Sequence, residues 1–183
     1  MTQRNDNHWT LIGSREIYRN PWIRVREDQV LRPDAKPGIY GVVEFQTVAL
    51  GIVPVDENGD TVLVGQYRYT LGQYSWELPE GGGAKGIDPL EEARRELVEE
   101  TGISASAWTD LGQFHLSNSV TDESGRIYLA QGLSFGEQRP DGDEVLRTWR
   151  LPLIEAHAMC MDGRITDAVS IIGITRAVSF LPK

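Results

Sequence analysis

The chain has 183 residues, of which 40% are hydrophobic and 25% charged, and its formal net charge is −9. This composition is typical of a folded globular protein and excludes a mainly disordered chain. No apolar run reaches the roughly 18 residues that span a bilayer, and the N-terminus lacks the apolar core of a secretory signal. The single cysteine, Cys160, allows no internal disulfide, so a cytoplasmic setting is expected. The acidic balance disfavours nucleic acid and anionic membranes as partners.

We predict two parts, an N-terminal strand unit at residues 1–46 and a larger domain at 47–183. In the first part, Ile23 and Val25 alternate with Arg24 and Arg26, which is the period of a half-buried strand. Strands are therefore predicted at residues 22–30 and 39–46.

The larger domain begins with a nearly continuous apolar run at residues 47–55, typical of a strand buried on both faces. Asn58-Gly59 is a hairpin signal, and a second strand is predicted at 61–68. These two strands are expected to pair with each other in antiparallel orientation.

The clearest helix is predicted at residues 89–101. Asp88 is a suitable N-cap, Pro89 suits the first helical position and Gly102 is a natural stop. The remaining predicted elements are strands at 108–116 and 126–133 and helices at 152–162 and 168–181. The order of strands, helix, strands and helices indicates an α+β fold.

Three glutamates share one face of the predicted helix, because Glu96, Glu99 and Glu100 have the spacing i, i+3, i+4. Like charges at this spacing repel, and the helix dipole disfavours acidic residues in the last turn. A hard divalent cation would turn both penalties into binding energy. The alternative is a solvated helix face on which Arg94 and Arg95 reduce the repulsion.

A glycine-rich segment precedes this helix, in the sequence Trp76-Glu-Leu-Pro-Glu-Gly-Gly-Gly83. It is interpreted as a strand that runs into a glycine-rich turn. Glycine lets a backbone approach a ligand closely, so a carbonyl from the turn can join the carboxylates around one metal ion.

Together these segments resemble the Nudix box. That pattern is Gly, five residues, Glu, seven residues, and then Arg-Glu-apolar-any-Glu-Glu-any-Gly-apolar. The positions that match are Gly81, Arg95, Glu96, Leu97, Glu99, Glu100, Gly102 and Ile103. One position departs, since Ile87 stands where the family has its first glutamate, a residue that helps to hold the loop and the box arginine.

The flanking sequence resembles the branch of Nudix hydrolases that act on ADP-ribose and nucleoside-diphosphate sugars. The similar stretches are 64–68, 76–82, 117–123, 140–146 and 151–153. The resemblance implies an α/β/α sandwich with a mixed sheet, preceded by a small N-terminal β-strand unit. It also implies a homodimer in which that unit contributes to the partner's substrate site.

The implied reaction is Mg²⁺-dependent hydrolysis of the diphosphate, with Mn²⁺ as a possible substitute, to a nucleoside monophosphate and a sugar phosphate. The metal ligands implied are Glu96, Glu99, Glu100 and the backbone carbonyl of Glu80. Glu100 also counts among the catalytic residues. Arg95 is expected to pair with nearby carboxylates and to order the box.

The general base is expected at Glu144, because in this branch it comes from a late loop, with Asp141 and Asp143 as alternatives. An acidic turn without a catalytic role is the competing interpretation.

Three further residues are candidates for substrate binding. Arg68 is placed to bind a phosphate or else forms a surface ion pair, and Trp22 stacks on the base or is ordinary packing. Glu123 is a weaker candidate for the same site.

Three alternatives stay open. The first is a preference for a GDP-sugar such as GDP-mannose, and the second is a nucleotide-binding module without hydrolysis, which Ile87 keeps in consideration. The third, mRNA decapping, is disfavoured by the net charge of −9.

Overall fold

The computed structural model describes residues 7–139 and 145–180. The chain divides into two compact units, one formed by Met1–Thr47 with His115–Glu123 and the other by Val48–Phe114 with Ser124–Lys183. The described elements are β1 (Thr10–Arg19), β2 (Ile23–Leu31), β3 (Pro37–Phe45), β4 (Thr47–Pro54), β5 (Asp60–Arg68), β6 (Gln73–Glu77), β7 (Glu80–Ala84), α1 (Pro89–Thr101), β8 (Ile103–His115), β9 (Ser124–Phe135), β10 (Arg147–Pro152), α2 (Leu153–Met161), α3 (Ala168–Ala177) and a short 3-10 helix (Val178–Phe180).

The first unit is an antiparallel sheet of three strands in the order β1-β2-β3. Ile23 lies opposite Phe45, and Leu31 lies opposite Pro37. The predicted strands at 22–30 and 39–46 are therefore confirmed within two residues. Strand β1 was not predicted, because nine of its ten residues are exposed and its sequence carries no half-buried alternation.

The second unit contains two sheets, one in the order β7-β4-β9-β8 and the other in the order β10-β5-β6. β4 runs parallel to β9, whereas β5 is antiparallel to both of its neighbours. The predicted pairing of β4 with β5 is wrong, because their pairing is limited to a bridge between Val55 and Thr61. The turn at Asn58-Gly59 reverses the chain as predicted, but the two strands then enter different sheets.

Helices cover both faces of the sheet that contains β4. Leu50 and Ile52 pack in one buried cluster with Leu97 of α1. On the other face, the backbone of Gly51 lies against Val169 of α3. The continuous apolar run of β4 is thus buried on both sides, and the predicted α/β/α sandwich with a mixed sheet is confirmed.

Helix α1 has the predicted bounds and caps. The Asp88 carboxylate accepts a hydrogen bond from the Leu90 amide at 3.1 Å, and Gly102 ends the helix with φ of 70°. Such a left-handed residue is characteristic of a glycine C-cap. No helix within residues 7–139 and 145–180 has the length and apolar character to cross a membrane.

The glycine-rich segment forms an edge strand, β7, and not the predicted turn. Its glycines leave space for α1, since a methyl group added at Gly81 would overlap the carboxyl group of Glu96 and one added at Gly83 would lie 3.3 Å from Glu92. The sequence favoured a turn because glycine is common in turns, but a missing side chain also permits a strand and a helix to approach closely.

We expect Gly51→Ala to lower the free energy of unfolding by about 1–3 kcal/mol, since overpacking a filled core carries this cost. The added methyl group would lie 2.6 Å from Val169 Cγ1. The control is Gly41→Ala in β3, where nothing lies within 4 Å of the new methyl group. Urea denaturation measures both, and equal stability of the two variants would contradict close packing of α3 on β4.

Candidate functional site

The candidate site lies where α1 packs along β7. The amide of Glu80 donates a hydrogen bond to Oε2 of Glu100 at 2.9 Å, and Glu100 is only 3% exposed. One residue further along β7, Gly81 lies directly against the carboxyl group of Glu96. A side chain at position 81 would displace that carboxyl group, so the glycine is required for the close approach.

Arg95 gathers three carboxylates of α1. Its guanidinium donates to Glu96 at 2.6 Å, to Glu99 at 2.5 Å and to Glu92 at 3.2 Å. Burial alone would lower the pKa of Arg95, but these carboxylates outweigh it and the pKa is raised. The expectation that Arg95 pairs with nearby carboxylates is confirmed.

A second group of acids lies beside the first. Oxygen atoms of Glu77, Glu80 and Asp167 all come within 4.8 Å of one another, the spacing of a potential cation site. Among the residues that the structure describes, Glu96, Glu99 and Glu100 do not form such a group. These three carboxylates are held apart by different partners. Arg95 binds Glu96 and Glu99, whereas Glu100 accepts a hydrogen bond from the Glu80 amide.

Arg68 lies within this second group. It binds Glu77 at 2.9 Å through Nε and Glu80 at 2.5 Å through Nη2, and 34% of its side chain is exposed. Antiparallel pairing of β5 with β6 puts Arg68 and Glu77 on the same face. The ion pair that was the alternative role for Arg68 is therefore present, formed with Glu77 and Glu80. Phosphate binding by Arg68 stays a prediction.

Glu77 and Glu80, the two carboxyl groups that bind Arg68, have pKa values shifted in opposite directions. Burial raises the pKa of Glu80 well above its usual range, and Asp167 and Glu77 add to this effect more than Arg68 reduces it. Burial is the largest single effect on Glu77 and acts to raise its pKa, but the hydrogen bond and the positive charge of Arg68, together with smaller hydrogen-bond contributions, outweigh it and the pKa is lowered. One Glu80 oxygen, Oε2, is buried without a hydrogen-bond partner, so this carboxyl group favours a proton or a cation.

The other predicted site residues lie elsewhere. Trp22 and Glu123 belong to the first unit. Trp22 is exposed. The pKa of Glu123 is raised by burial and, to a smaller extent, by the negative charge of Asp122. Glu144, with its alternatives Asp141 and Asp143, lies outside the described residues. The roles of these residues stay predictions.

Sequence reasoning missed three acids that the structure brings to the site. These are Glu77, Asp167 and Glu92, none of which was predicted as a site residue. Asp167 does cap α3, accepting from the Ser170 amide at 2.6 Å. For Glu92, the i, i+3 spacing to Arg95 was a usable signal.

Comparison with known families assigns both parts of the chain. Residues 9–43 match the nucleoside diphosphate sugar hydrolase N-terminal domain, and residues 45–168 match the NUDIX domain. The chain therefore belongs to the Nudix family, and the predicted class of enzyme, a Nudix hydrolase, is confirmed.

Individual proteins give the same assignment. An ADP-ribose pyrophosphatase of Mycobacterium tuberculosis is 34% identical over 92% of this chain and 83% of its own length. A GDP-mannose pyrophosphatase of Yersinia enterocolitica is 32% identical over 63% of this chain and 64% of its own. The crystal structure of an ADP compounds hydrolase has a TM-score of 0.86 at 21% identity, covering 98% of this chain and 97% of that one, and shows the shared fold.

We expect Glu77→Gln and Glu80→Gln to change stability in opposite directions at pH 7 without divalent cations. The lowered pKa of Glu77 stabilises the fold above its unfolded pKa of about 4.3, and this gain is lost as the pH falls through the folded pKa. The raised pKa of Glu80 costs stability once the pH rises above about 4.3.

Accordingly, E77Q should be less stable than the wild type at pH 7 and E80Q more stable. The E80Q difference should shrink as the pH falls toward about 4.3, whereas the E77Q difference should shrink only below that pH. Urea denaturation in EDTA at several pH values measures this. A loss of stability in E80Q at pH 7 would contradict the unfavourable burial of the Glu80 carboxylate.

Proposed function

We propose that the protein hydrolyses the diphosphate of ADP-ribose or of a related nucleoside-diphosphate sugar, giving a nucleoside monophosphate and a sugar phosphate. The observation that carries the proposal is the contact of the buried Glu100 carboxylate with the Glu80 amide, which joins the acidic face of α1 to the glycine-rich strand. The similarity to an ADP-ribose pyrophosphatase along 92% of the chain supports the substrate class.

The residues fit a divalent metal ion. Glu96, Glu99 and Glu100 and the Glu80 carbonyl offer only oxygen donors, which Mg²⁺ prefers and Mn²⁺ accepts. Burial of Glu100 beside other carboxylates also leaves negative charge that a cation would neutralise. When bound, Mg²⁺ would neutralise the diphosphate and lower the pKa of a coordinated water.

The chain itself would supply orientation and proton transfer. The Glu80 amide fixes the Glu100 carboxylate, and Arg95 orders the outer glutamates. Glu144 would accept the proton of the attacking water as general base. Arg68 would contact a phosphate through guanidinium N–H groups left exposed beside Glu77 and Glu80.

The first unit would contribute to substrate recognition through Trp22, by stacking on the base, and through Glu123.

We also propose a homodimer in a reducing, cytoplasmic compartment, with no nucleic acid or membrane partner. Exposed apolar side chains on the first unit, including Leu11, Ile12, Ile17 and Ile39, support an interface there.

A GDP-sugar such as GDP-mannose is the second candidate substrate. It is supported by the similarity to the Yersinia enterocolitica GDP-mannose pyrophosphatase. The two candidates share the same chemistry at the diphosphate and differ only in the base and sugar that must be recognised.

The function is tested by incubating the purified protein with ADP-ribose, GDP-mannose, UDP-glucose and dinucleotide polyphosphates, with and without Mg²⁺. We expect metal-dependent release of phosphomonoesters from one sugar nucleotide. Binding without turnover of any substrate would instead support the non-catalytic module.

In the same assay, Glu100→Gln should lower the rate by about 100-fold or more, because it weakens a metal ligand while keeping the side-chain shape. Glu91→Gln is the matched control, since Glu91 lies on the same helix and pairs only with Arg94 among the contacts described. Activity of E100Q within a few-fold of the wild type would refute the metal assignment.

Glu144→Gln should lower kcat by about 10²–10⁴-fold while leaving KM nearly unchanged, as expected for loss of a general base. Steady-state kinetics at saturating Mg²⁺ measures both constants. If kcat is unchanged, Asp141→Asn and Asp143→Asn identify which alternative acid has the role.

A further inference from the structure

The one position of the Nudix box that departs from the family pattern is Ile87. It is an exposed apolar residue, so its side chain cannot form an ion pair with Arg95. The neighbouring Asp88 does not replace the missing carboxylate, because its side chain caps α1 at the Leu90 amide. The contact to Arg95 comes from Glu92 instead, one helical turn before it, at 3.2 Å.

Glu92 is held in place by the close packing of α1 on β7. Its side chain is only 16% exposed, and a methyl group added at Gly83 would lie 3.3 Å from its Cβ and Cγ. Glu92 thus lies beside Gly83 much as Glu96 lies beside Gly81. Unlike Glu96, it is not among the predicted metal ligands.

Arg95 and a divalent cation would compete for the same two carboxylates. In the structure the guanidinium engages Glu96 and Glu99, both predicted ligands. A cation coordinated by those two carboxylates would draw negative charge away from Arg95 and weaken both ion pairs. A carboxylate that stays with Arg95 during this exchange lowers its cost, because the guanidinium keeps an anionic partner.

We propose that Glu92 is the positioning residue that retains Arg95 while Glu96 and Glu99 turn to the metal ion, replacing the carboxylate absent at Ile87. This inference rests on the proposed metal site. It predicts a role in metal affinity, with little effect on the chemical step once metal is saturating.

Glu91 provides a closely matched comparison. It forms an i, i+3 ion pair with Arg94 at 2.8 Å, just as Glu92 does with Arg95, but its side chain is 61% exposed. Replacing either glutamate by glutamine removes one negative charge from the same helical turn. Only Glu92 shares its arginine with predicted metal ligands.

The test is titration of the full-length protein with Mn²⁺, without substrate, followed by electron paramagnetic resonance. Glu92→Gln should weaken Mn²⁺ binding by about two- to fivefold, the range expected for loss of one partly exposed ion pair. Glu91→Gln should leave it unchanged. Equal affinity of the two variants would overturn the inference.

An Arg95→Ala background separates the proposed route from direct attraction between Glu92 and the cation. There, Glu92→Gln should have no further effect on Mn²⁺ affinity, since no guanidinium remains to be retained. A continued loss of twofold or more would overturn the inference in favour of simple charge attraction. Melting temperatures of all variants confirm that each is folded.

Activity provides a second readout. In E92Q, the Mg²⁺ concentration for half-maximal rate should rise by about two- to fivefold, whereas kcat at saturating Mg²⁺ stays near the wild-type value. If the wild type binds Mn²⁺ and turns over substrate but E92Q behaves like E91Q, this inference alone fails. If the wild type neither binds Mn²⁺ nor hydrolyses any substrate, the proposed function fails with it.

Discussion

The site depends on the close approach of α1 to β7. Without side chains at Gly81 and Gly83, the strand lies close enough for the Glu80 amide to reach the Glu100 carboxylate. That hydrogen bond satisfies a nearly buried charge, which would otherwise carry a large desolvation cost. The same packing holds Glu96 and Glu92 against the strand, so one structural constraint places all three carboxylates.

Two arginines balance the charge that this packing concentrates. Arg95 lies among Glu92, Glu96 and Glu99, and Arg68 lies between Glu77 and Glu80. Arg95 has more carboxylates around it than its single positive charge can neutralise. The surplus is consistent with a site that is built to attract cations, and such a cation would allow a chain of net charge −9 to bind an anionic diphosphate.

Local signals predicted local structure well and tertiary pairing poorly. Asp88 and Gly102 gave the bounds of α1 because capping depends only on neighbouring residues. The turn at Asn58-Gly59 was also predicted, but sheet partners are set by packing of the whole unit, so β4 and β5 were wrongly paired. At the site, the spacing of Glu96, Glu99 and Glu100 predicted an acidic face on α1, which contacts Arg95 and the Glu80 amide, while metal binding there stays a prediction. The cluster around Arg68 was not predicted, because it joins β5 and β6 to Asp167 at the start of α3.

The role proposed for Glu92 would explain how the motif can lose one member while its arginine keeps a carboxylate partner. What Arg95 requires is a carboxylate within reach, and the helix supplies one at i−3 as readily as the preceding loop could from position 87. A carboxylate on the helix is held by the backbone of α1 and by Gly83, so it is less dependent on the conformation of the loop. Under the role proposed for Glu92, Ile87 does not by itself indicate an inactive site, because a carboxylate still pairs with Arg95.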